Sequence, residues 1–122
     1  MSKQSGFTLI ELVMVIVILG ILGAIAVPKF VNLSDDATTA AKRGMSGAVK
    51  AAHSIAIAAN KTLPDVDTLV TFVSAEGLLA ANDGVVVNIN GGLLTVPTFT
   101  DQACTAATTA TTDIVACVGT IP

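Results

Sequence analysis

Few residues of this 122-residue chain have the types and spacing that catalysis requires. The segment Gly44-Met45-Ser46-Gly47-Ala48 approaches the nucleophile elbow of hydrolases, but it ends in Ala and lies in a helical context rather than between a strand and a helix. His53 is the only histidine, and Asn90-Gly91-Gly92 lacks the Lys and the Ser or Thr of a phosphate-binding loop. The sequence therefore predicts that the protein is not an enzyme.

Groups that could bind a metal ion are also sparse. Asp65 with Asp67, and Asn82 with Asp83, could contact calcium, but each pair falls short of the roughly six to eight oxygen ligands that calcium takes. We expect these acids to be solvated, and we expect neither a metal site nor a cofactor.

Cys104 and Cys117 are the only cysteines and enclose a Thr-rich loop. An even number in an exported chain favours a disulfide, while two reduced core cysteines are the alternative. A zinc site is disfavoured because a single His and no CxxC spacing supply too few ligands. A disulfide closing a loop of this size would contribute about 3 kcal/mol to stability in the chain-entropy description.

Composition argues against nucleic acid as a specific partner. The formal net charge is −3 and the isoelectric point is about 4.7, so the chain carries no global basic field. The aromatic residues are four Phe, with no Tyr or Trp, which makes a poor surface for base stacking.

One carboxylate lies where carboxylates are rare. Glu11 falls inside an almost wholly apolar segment from Phe7 to Val27, of which residues 12–27 carry no charge. A helix over the 22 residues from Phe7 to Pro28 would be roughly 33 Å long, enough to cross a hydrocarbon core of about 30 Å. Because an ionised carboxylate near lipid costs several kcal/mol unless it is paired, Glu11 is predicted to be functional.

A secretory signal peptide is the competing interpretation of this amino terminus. Lys3 would form a thin basic region and Ala24-Ile25-Ala26 a cleavage site, so that a small soluble domain is released after Ala26. Glu11 argues against it, because an acid directly before the apolar region is unusual beside a single Lys. A plain membrane anchor also leaves Glu11 unexplained.

The segment Gly6-Phe7-Thr8-Leu9-Ile10-Glu11, with the apolar run after it and Pro28 at its end, resembles the amino terminus of type IV pilins and type II secretion pseudopilins. Residues 27–37 are also similar to major pilins of the mannose-sensitive haemagglutinin type. The resemblance implies that a prepilin peptidase cuts after Gly6 and that the new amine of Phe7 is N-methylated. Residues 1–6 would be the leader.

The resemblance also implies a structural role. Residues 7–33 would be the transmembrane and polymerisation helix, and residues 34–122 the periplasmic or extracellular head with the amphipathic half of the spine. The precursor would wait in the inner membrane until an assembly ATPase and a platform protein draw it into a homopolymer on the cell surface, used for adhesion, motility or uptake. The alternative within the family is a major pseudopilin of a type II secretion system.

Phe7, Thr8 and Glu11 are the candidate assembly residues. Cleavage would leave a cation at a helix amino terminus, where the helix dipole disfavours it, so a nearby carboxylate is needed. Glu11 of the same helix or of a neighbouring subunit could serve. Only the second pairing would set the axial register, as buried polar residues do in coiled coils.

The resemblance implies an α+β type IV pilin fold with a helical spine over about residues 7–60. Gly20, Gly23 and Pro28 weaken the spine near residues 20–28, which we expect to melt on assembly. Ser34, before two acids, predicts a new helix start. The carboxyl-terminal half of the spine should pack on a small antiparallel sheet.

The pattern after Pro28 predicts which residues form that packing. A stripe of mostly small residues recurs at helical spacing and should face the head: Phe30, Leu33, Ala37, Ala41, Gly44, Ala48, Ala51, Ile55 and Ala58. Further predictions are a short helix over 66–80, a hairpin over 85–89 and 93–99 with its turn at Asn90-Gly91-Gly92, and a third strand over 114–118.

Overall fold

The computed structural model describes residues 6–75 and 77–122. The elements follow in the order α1 (Leu9–Asn60), α2 (Val66–Phe72), β1 (Leu79–Ala81), β2 (Gly84–Ile89), β3 (Gly92–Phe99) and β4 (Cys117–Val118). A long amino-terminal helix followed by a four-stranded antiparallel sheet confirms the predicted α+β fold. Contacts divide the chain into two compact units, of which the first ends at Ala37 and the second spans Thr38–Pro122.

The first unit consists largely of the amino-terminal part of α1. Its large apolar side chains, from Phe7 to Leu33, are exposed, with values such as 80% for Leu9 and 70% for Phe30. α1 contains a stretch long and apolar enough to cross a membrane. Signal sequences pass the same test of length and composition, so this property alone assigns no function.

Helix α1 is helical throughout from Leu9 to Asn60, with Pro28 inside it. The predicted new helix start at Ser34 is therefore wrong. A proline removes one backbone hydrogen bond, but the residues on both sides include many good helix formers, so the isolated chain tolerates the loss. The predicted end at Asn60 is confirmed, and Lys61 follows it with a positive φ of 58°.

The core of the second unit lies between α1, α2 and one face of the sheet. Val85, Val87 and Ile89 alternate along β2 and are buried, as the period of two in a strand requires. From the helices, Val49 and Leu69 are fully buried in the same cluster.

The predicted small-residue stripe of α1 is not its buried face. The buried residues are Ser46, Val49, Ala52 and Ala56. Most members of the predicted stripe in this unit are exposed, namely Gly44, Ala48, Ala51, Ile55 and Ala58. Two apolar stripes run side by side on this part of α1, and the one with Met45 and Val49 packs in the hydrophobic core.

The sheet has the strand order β1-β2-β3-β4, with every neighbouring pair antiparallel. The predicted hairpin is confirmed, since β2 and β3 pair from Gly84↔Pro97 to Ile89↔Gly92. Its turn uses Asn90 (φ 54°) and Gly91 (φ 83°), the left-handed pair that suits the twist of a two-residue hairpin.

Two predicted elements are shorter in the structure. The helix expected over 66–80 ends at Phe72, and its last residues fall in β1. The strand expected over 114–118 is reduced to Cys117–Val118, because Ile114 pairs with Asp65 in an isolated bridge instead. That bridge attaches the chain before β4 to the segment that precedes α2.

Candidate functional site

Thr8 and Glu11 form a reciprocal cap at the start of α1. The backbone N–H and the hydroxyl of Thr8 each donate to Oε2 of Glu11 at 2.8 Å. In return, the backbone N–H of Glu11 donates to Oγ1 of Thr8 at 3.3 Å. The first turn of a helix leaves backbone N–H groups without partners, and this capping box satisfies two positions at once.

The cap gives Glu11 a structural role that was not predicted from the sequence. The pattern Thr-x-x-Glu before an apolar run was visible in the sequence as a capping signal. The capping box directs the Glu11 carboxylate toward the amino terminus of its own helix.

The predicted processing site lies just before the capped start of α1. Gly6, Phe7 and Thr8 precede the helix and are not helical, and Phe7 is 92% exposed. Phe7, Glu11 and three apolar residues of the first turns line a groove of about 370 Å³. The structure thus brings Phe7, Thr8 and Glu11 together beside an apolar surface. The other leader residues, 1–5, lie outside the described residues.

Gly20, Gly23 and Pro28 all lie within α1. A Cβ atom added at Gly20 or Gly23 would meet nothing within 4 Å, so neighbouring side chains do not require glycine there. Melting of this segment on assembly stays a prediction.

Cys104 and Cys117 form the predicted disulfide, with their Cα atoms 5.5 Å apart. The enclosed loop folds back on β3. The N–H of Thr108 donates to the carbonyl of Thr98 at 3.0 Å, and the buried hydroxyls of these two residues are hydrogen-bonded at 2.7 Å. No local pattern in the sequence predicted the contact between Thr98 and Thr108.

Asp101 holds the first half of the loop. Its carboxylate accepts the N–H groups of Thr105 and Ala106, both at 2.9 Å, and the hydroxyl of Thr105 at 2.6 Å. The bond from the Thr105 hydroxyl, followed by that from Ala106, holds the pKa of Asp101 below its ordinary value because both favour the charged form.

Asp113 holds the second half in the same way. One of its oxygens accepts the N–H groups of Thr109 at 2.8 Å and Ala110 at 3.0 Å, and the hydroxyl of Thr109 at 3.2 Å. The N–H of Thr109, followed by that of Ala110, lowers the pKa of Asp113. The Thr-rich loop between the cysteines is therefore held by hydrogen bonds at both of its halves.

His53 and Ser46, examined above as candidate catalytic residues, have structural roles. Nε2 of His53 donates to the carbonyl of Val115 at 2.8 Å, which joins α1 to the disulfide loop. The buried hydroxyl of Ser46 donates to the carbonyl of Lys42 at 2.8 Å and accepts the N–H of Ile121 at 3.0 Å.

No group of three or more His, Cys, Asp or Glu side chains that could hold a metal ion occurs within residues 6–75 and 77–122. The polar side chains described above are instead engaged with the backbone of their own chain. The arrangement that remains for function is the carboxylate, cap and exposed apolar surface at the start of α1.

Comparison with known proteins also points to the amino terminus as the functional part of the chain. Residues 1–27 match the model of the prokaryotic N-terminal methylation motif. The chain is 48% identical over 75 residues to the type IV narrow pilus major component PilA5 of Thermus thermophilus, which covers 62% of this chain and 63% of that protein. No solved structure matches the chain significantly.

Two further relatives represent different assemblies. The type II secretion system core protein G of Pseudomonas aeruginosa is 48% identical over 50 residues, 41% of this chain and 35% of that protein. Fimbrial protein Q of Moraxella bovis is 37% identical over 102 residues, 75% of this chain and 62% of that protein. The chain thus spans less than two thirds of the length of each relative.

Proposed function

Because the chain belongs to the type IV pilin and pseudopilin family, we propose that it is a structural subunit that polymerises into a thin filament with the apolar part of α1 at its centre. Proteins of this family are structural subunits and not enzymes. The observation that carries the proposal is one carboxylate, Glu11, at the start of an exposed apolar helix that could cross a membrane.

Processing of the precursor follows from the position of the cap. The bond between Gly6 and Phe7 lies in a non-helical segment just before α1, and Phe7 is exposed. A prepilin peptidase would cut this bond and methylate the new amine of Phe7. The cut creates a positive charge at a helix amino terminus, which the helix dipole disfavours.

Glu11 would neutralise the Phe7 amine of a neighbouring copy. Its Oε2 atom is held by its own Thr8, and this leaves Oε1 for a donor from another chain. Apolar helices can slide past one another at little cost, whereas a charge pair in an apolar interior is satisfied at one axial position only. Glu11 would therefore set the register of the filament.

Assembly of the filament would require a membrane and other proteins. The precursor would be anchored in the inner membrane by α1 with its second unit in the periplasm. A peptidase, an assembly ATPase and a platform protein would convert it into an extracellular filament for adhesion, motility or uptake. Melting around Gly20, Gly23 and Pro28 would accompany this step.

A type II secretion pseudopilin is the second candidate, supported by the relative from Pseudomonas aeruginosa. We favour a surface pilus because a disulfide-bounded, ordered loop lies near the carboxyl terminus. Filaments sheared from the outside of intact cells would support a pilus, and filaments confined to the periplasm a pseudopilus.

An intact mass on the sheared protein tests the processing step. A chain that begins at N-methylated Phe7 supports the proposal. A chain that begins at Val27 would lack Glu11 and contradict it, because a signal peptidase would then release a soluble domain.

Two matched variants test the role of Glu11. Glu11→Ala removes both the cap and the charge, whereas Thr8→Val removes the hydroxyl of the cap and keeps the charge. We expect Glu11→Ala to abolish sheared filaments while the processed subunit stays in the membrane. Thr8→Val should retain filaments, with a helix start weakened by about 1 kcal/mol. Normal filament yield from Glu11→Ala would refute the register role.

A further inference from the structure

The two signs of charge occupy different parts of the second unit. From Thr38 onwards, every Lys and Arg lies on α1 or directly after it, at Lys42, Arg43, Lys50 and Lys61. Every acid follows these cations in the sequence, at Asp65, Asp67, Glu76, Asp83, Asp101 and Asp113. The same chain therefore carries a positively charged segment and a negatively charged segment.

Several of these charges already have partners within their own chain. Nζ of Lys42 donates to the backbone oxygen of Pro122 at 2.7 Å. Asp65, Asp101 and Asp113 each accept backbone N–H groups nearby.

Five charged side chains of this unit are left over. In the part of the chain that the structure describes, the side chains of Arg43, Lys50, Lys61, Asp67 and Asp83 are exposed and have neither an ion pair nor a hydrogen bond. These groups are available for contacts with another molecule.

The two available cations of α1 flank exposed backbone. Arg43 and Lys50 are seven residues apart, which places them on one face of the helix, and Gly44 and Gly47 lie between them. A Cβ at either glycine would meet nothing within 4 Å, although alanine would make the helix more stable. We call this surface, Arg43, Gly44, Gly47 and Lys50, the cationic ridge; it allows another surface to approach the helix closely.

Asp83 lies at a largely apolar cleft of the second unit. The cleft has a volume of about 360 Å³, and its apolar walls include Leu94, Pro97 and Ala107. Lys and Arg side chains lay their aliphatic stems along apolar surface while their charged ends stay hydrated or paired. A cation entering this cleft would place its stem against these walls and its charge beside the Asp83 carboxylate.

We propose that the cationic ridge of one copy docks into the Asp83 cleft of a second copy. The proposal rests on the proposed filament function and adds a contact outside the apolar part of α1. A second copy is the favoured occupant because the same chain carries both complementary, unengaged charges. Since the ridge and the cleft are different surfaces, the contact is heterologous and can repeat into an open helical array.

Charge reversal in the full-length chain tests the contact. Asp83→Lys, and separately Arg43→Glu combined with Lys50→Glu, should each lower the yield of sheared filament about tenfold or more, because like charges then face each other. The triple variant, which restores opposite charges, should return the yield to within about twofold of the natural chain. Lys61→Glu, a reversal outside the ridge, is the matched control and should leave the yield unchanged.

Cysteine cross-linking provides a second measurement that does not depend on filament yield. In filaments of the Arg43→Cys and Asp83→Cys double variant, oxidation should link neighbouring copies into ladders on a non-reducing gel. Each single variant, and Lys61→Cys with Asp83→Cys, should give none.

Two outcomes would overturn the docking proposal alone. One is a normal filament yield from the charge-reversed variants. The other is the absence of a cross-linked ladder from filaments of the double-cysteine variant. By contrast, absence of filaments and of Phe7 processing in the natural chain would overturn the proposed function itself.

Discussion

The two units of this chain use apolar residues in opposite ways. The second unit buries a core that consists mostly of valines, and Val49, Leu69, Val85 and Val96 have no exposed surface. The first unit leaves residues of the same kind exposed along α1. The second unit therefore contains its own source of stability, whereas the first has a sequence suited to a membrane or to other copies.

Carboxylates show the same difference. Asp101 and Asp113 hold a loop within the second unit, and nothing further is needed to explain them. Glu11 caps its own helix, but a cap does not require an apolar run of this length behind it. We propose that the remainder of its role involves neighbouring copies of the chain.

A matched pair of leucines should give the largest effect. Leu69→Ala should lower the free energy of unfolding of the second unit by about 2–5 kcal/mol, because it leaves a cavity in the core. Leu19→Ala, at a position that is 61% exposed, should change it by less than about 0.5 kcal/mol. Denaturant titration of the full chain in detergent, followed by circular dichroism, measures both. Equal effects would contradict the division into two units.

A matched pair of glycine substitutions should give smaller effects, and the two substitutions should differ in sign. Gly84 has a φ of 149°, and an added Cβ would overlap the carbonyl of Val96. Gly84→Ala should therefore destabilise the β2–β3 pairing by about 1–3 kcal/mol.

Gly20→Ala has open space around it and should stabilise α1 by about 1 kcal/mol. If residues 20–28 must unwind during polymerisation, this variant should also slow filament assembly. Helicity by circular dichroism and the rate of filament appearance check the two parts separately. Faster assembly would argue against melting.

The smallest expected effect is a loss of loop order in acid. The fold lowers the pKa of Asp101 and Asp113 below the ordinary value of 3.8, chiefly through the Thr105 hydroxyl and the Thr109 N–H. Their contribution is present above that value and is lost as the pH falls through the lower folded pKa. The protection of the Thr105 and Thr109 amides, relative to exchange of an unstructured chain at the same pH, should persist down to about pH 5 and fall below about pH 4.

The matched control is the double variant Asp101→Asn and Asp113→Asn. Its loop amides should exchange faster at neutral pH and lose most of the acid dependence. Protection that falls well above pH 4 in the natural chain would assign the acid sensitivity to a different group.

Much of the fold could be predicted because its signals are local. The apolar run marked the first part of α1, and the Asn90-Gly91 turn between β-branched residues marked the hairpin. Strand β1 and the shortened helix α2 could not be separated in this way. Their boundary depends on pairing with β2, and no local pattern announces it.

The sequence by itself determined the features that depend on neighbours a few residues apart. These are the exposed apolar helix, the Thr8 and Glu11 cap, and the cysteine pair. Only the tertiary structure decided which stripe of α1 is buried, since two stripes had equivalent periodicity. It also decided that Thr98 meets Thr108 and that Ser46 holds Ile121, 75 residues away. Contacts over such separations arise from packing of the whole second unit, which local propensity and spacing do not specify.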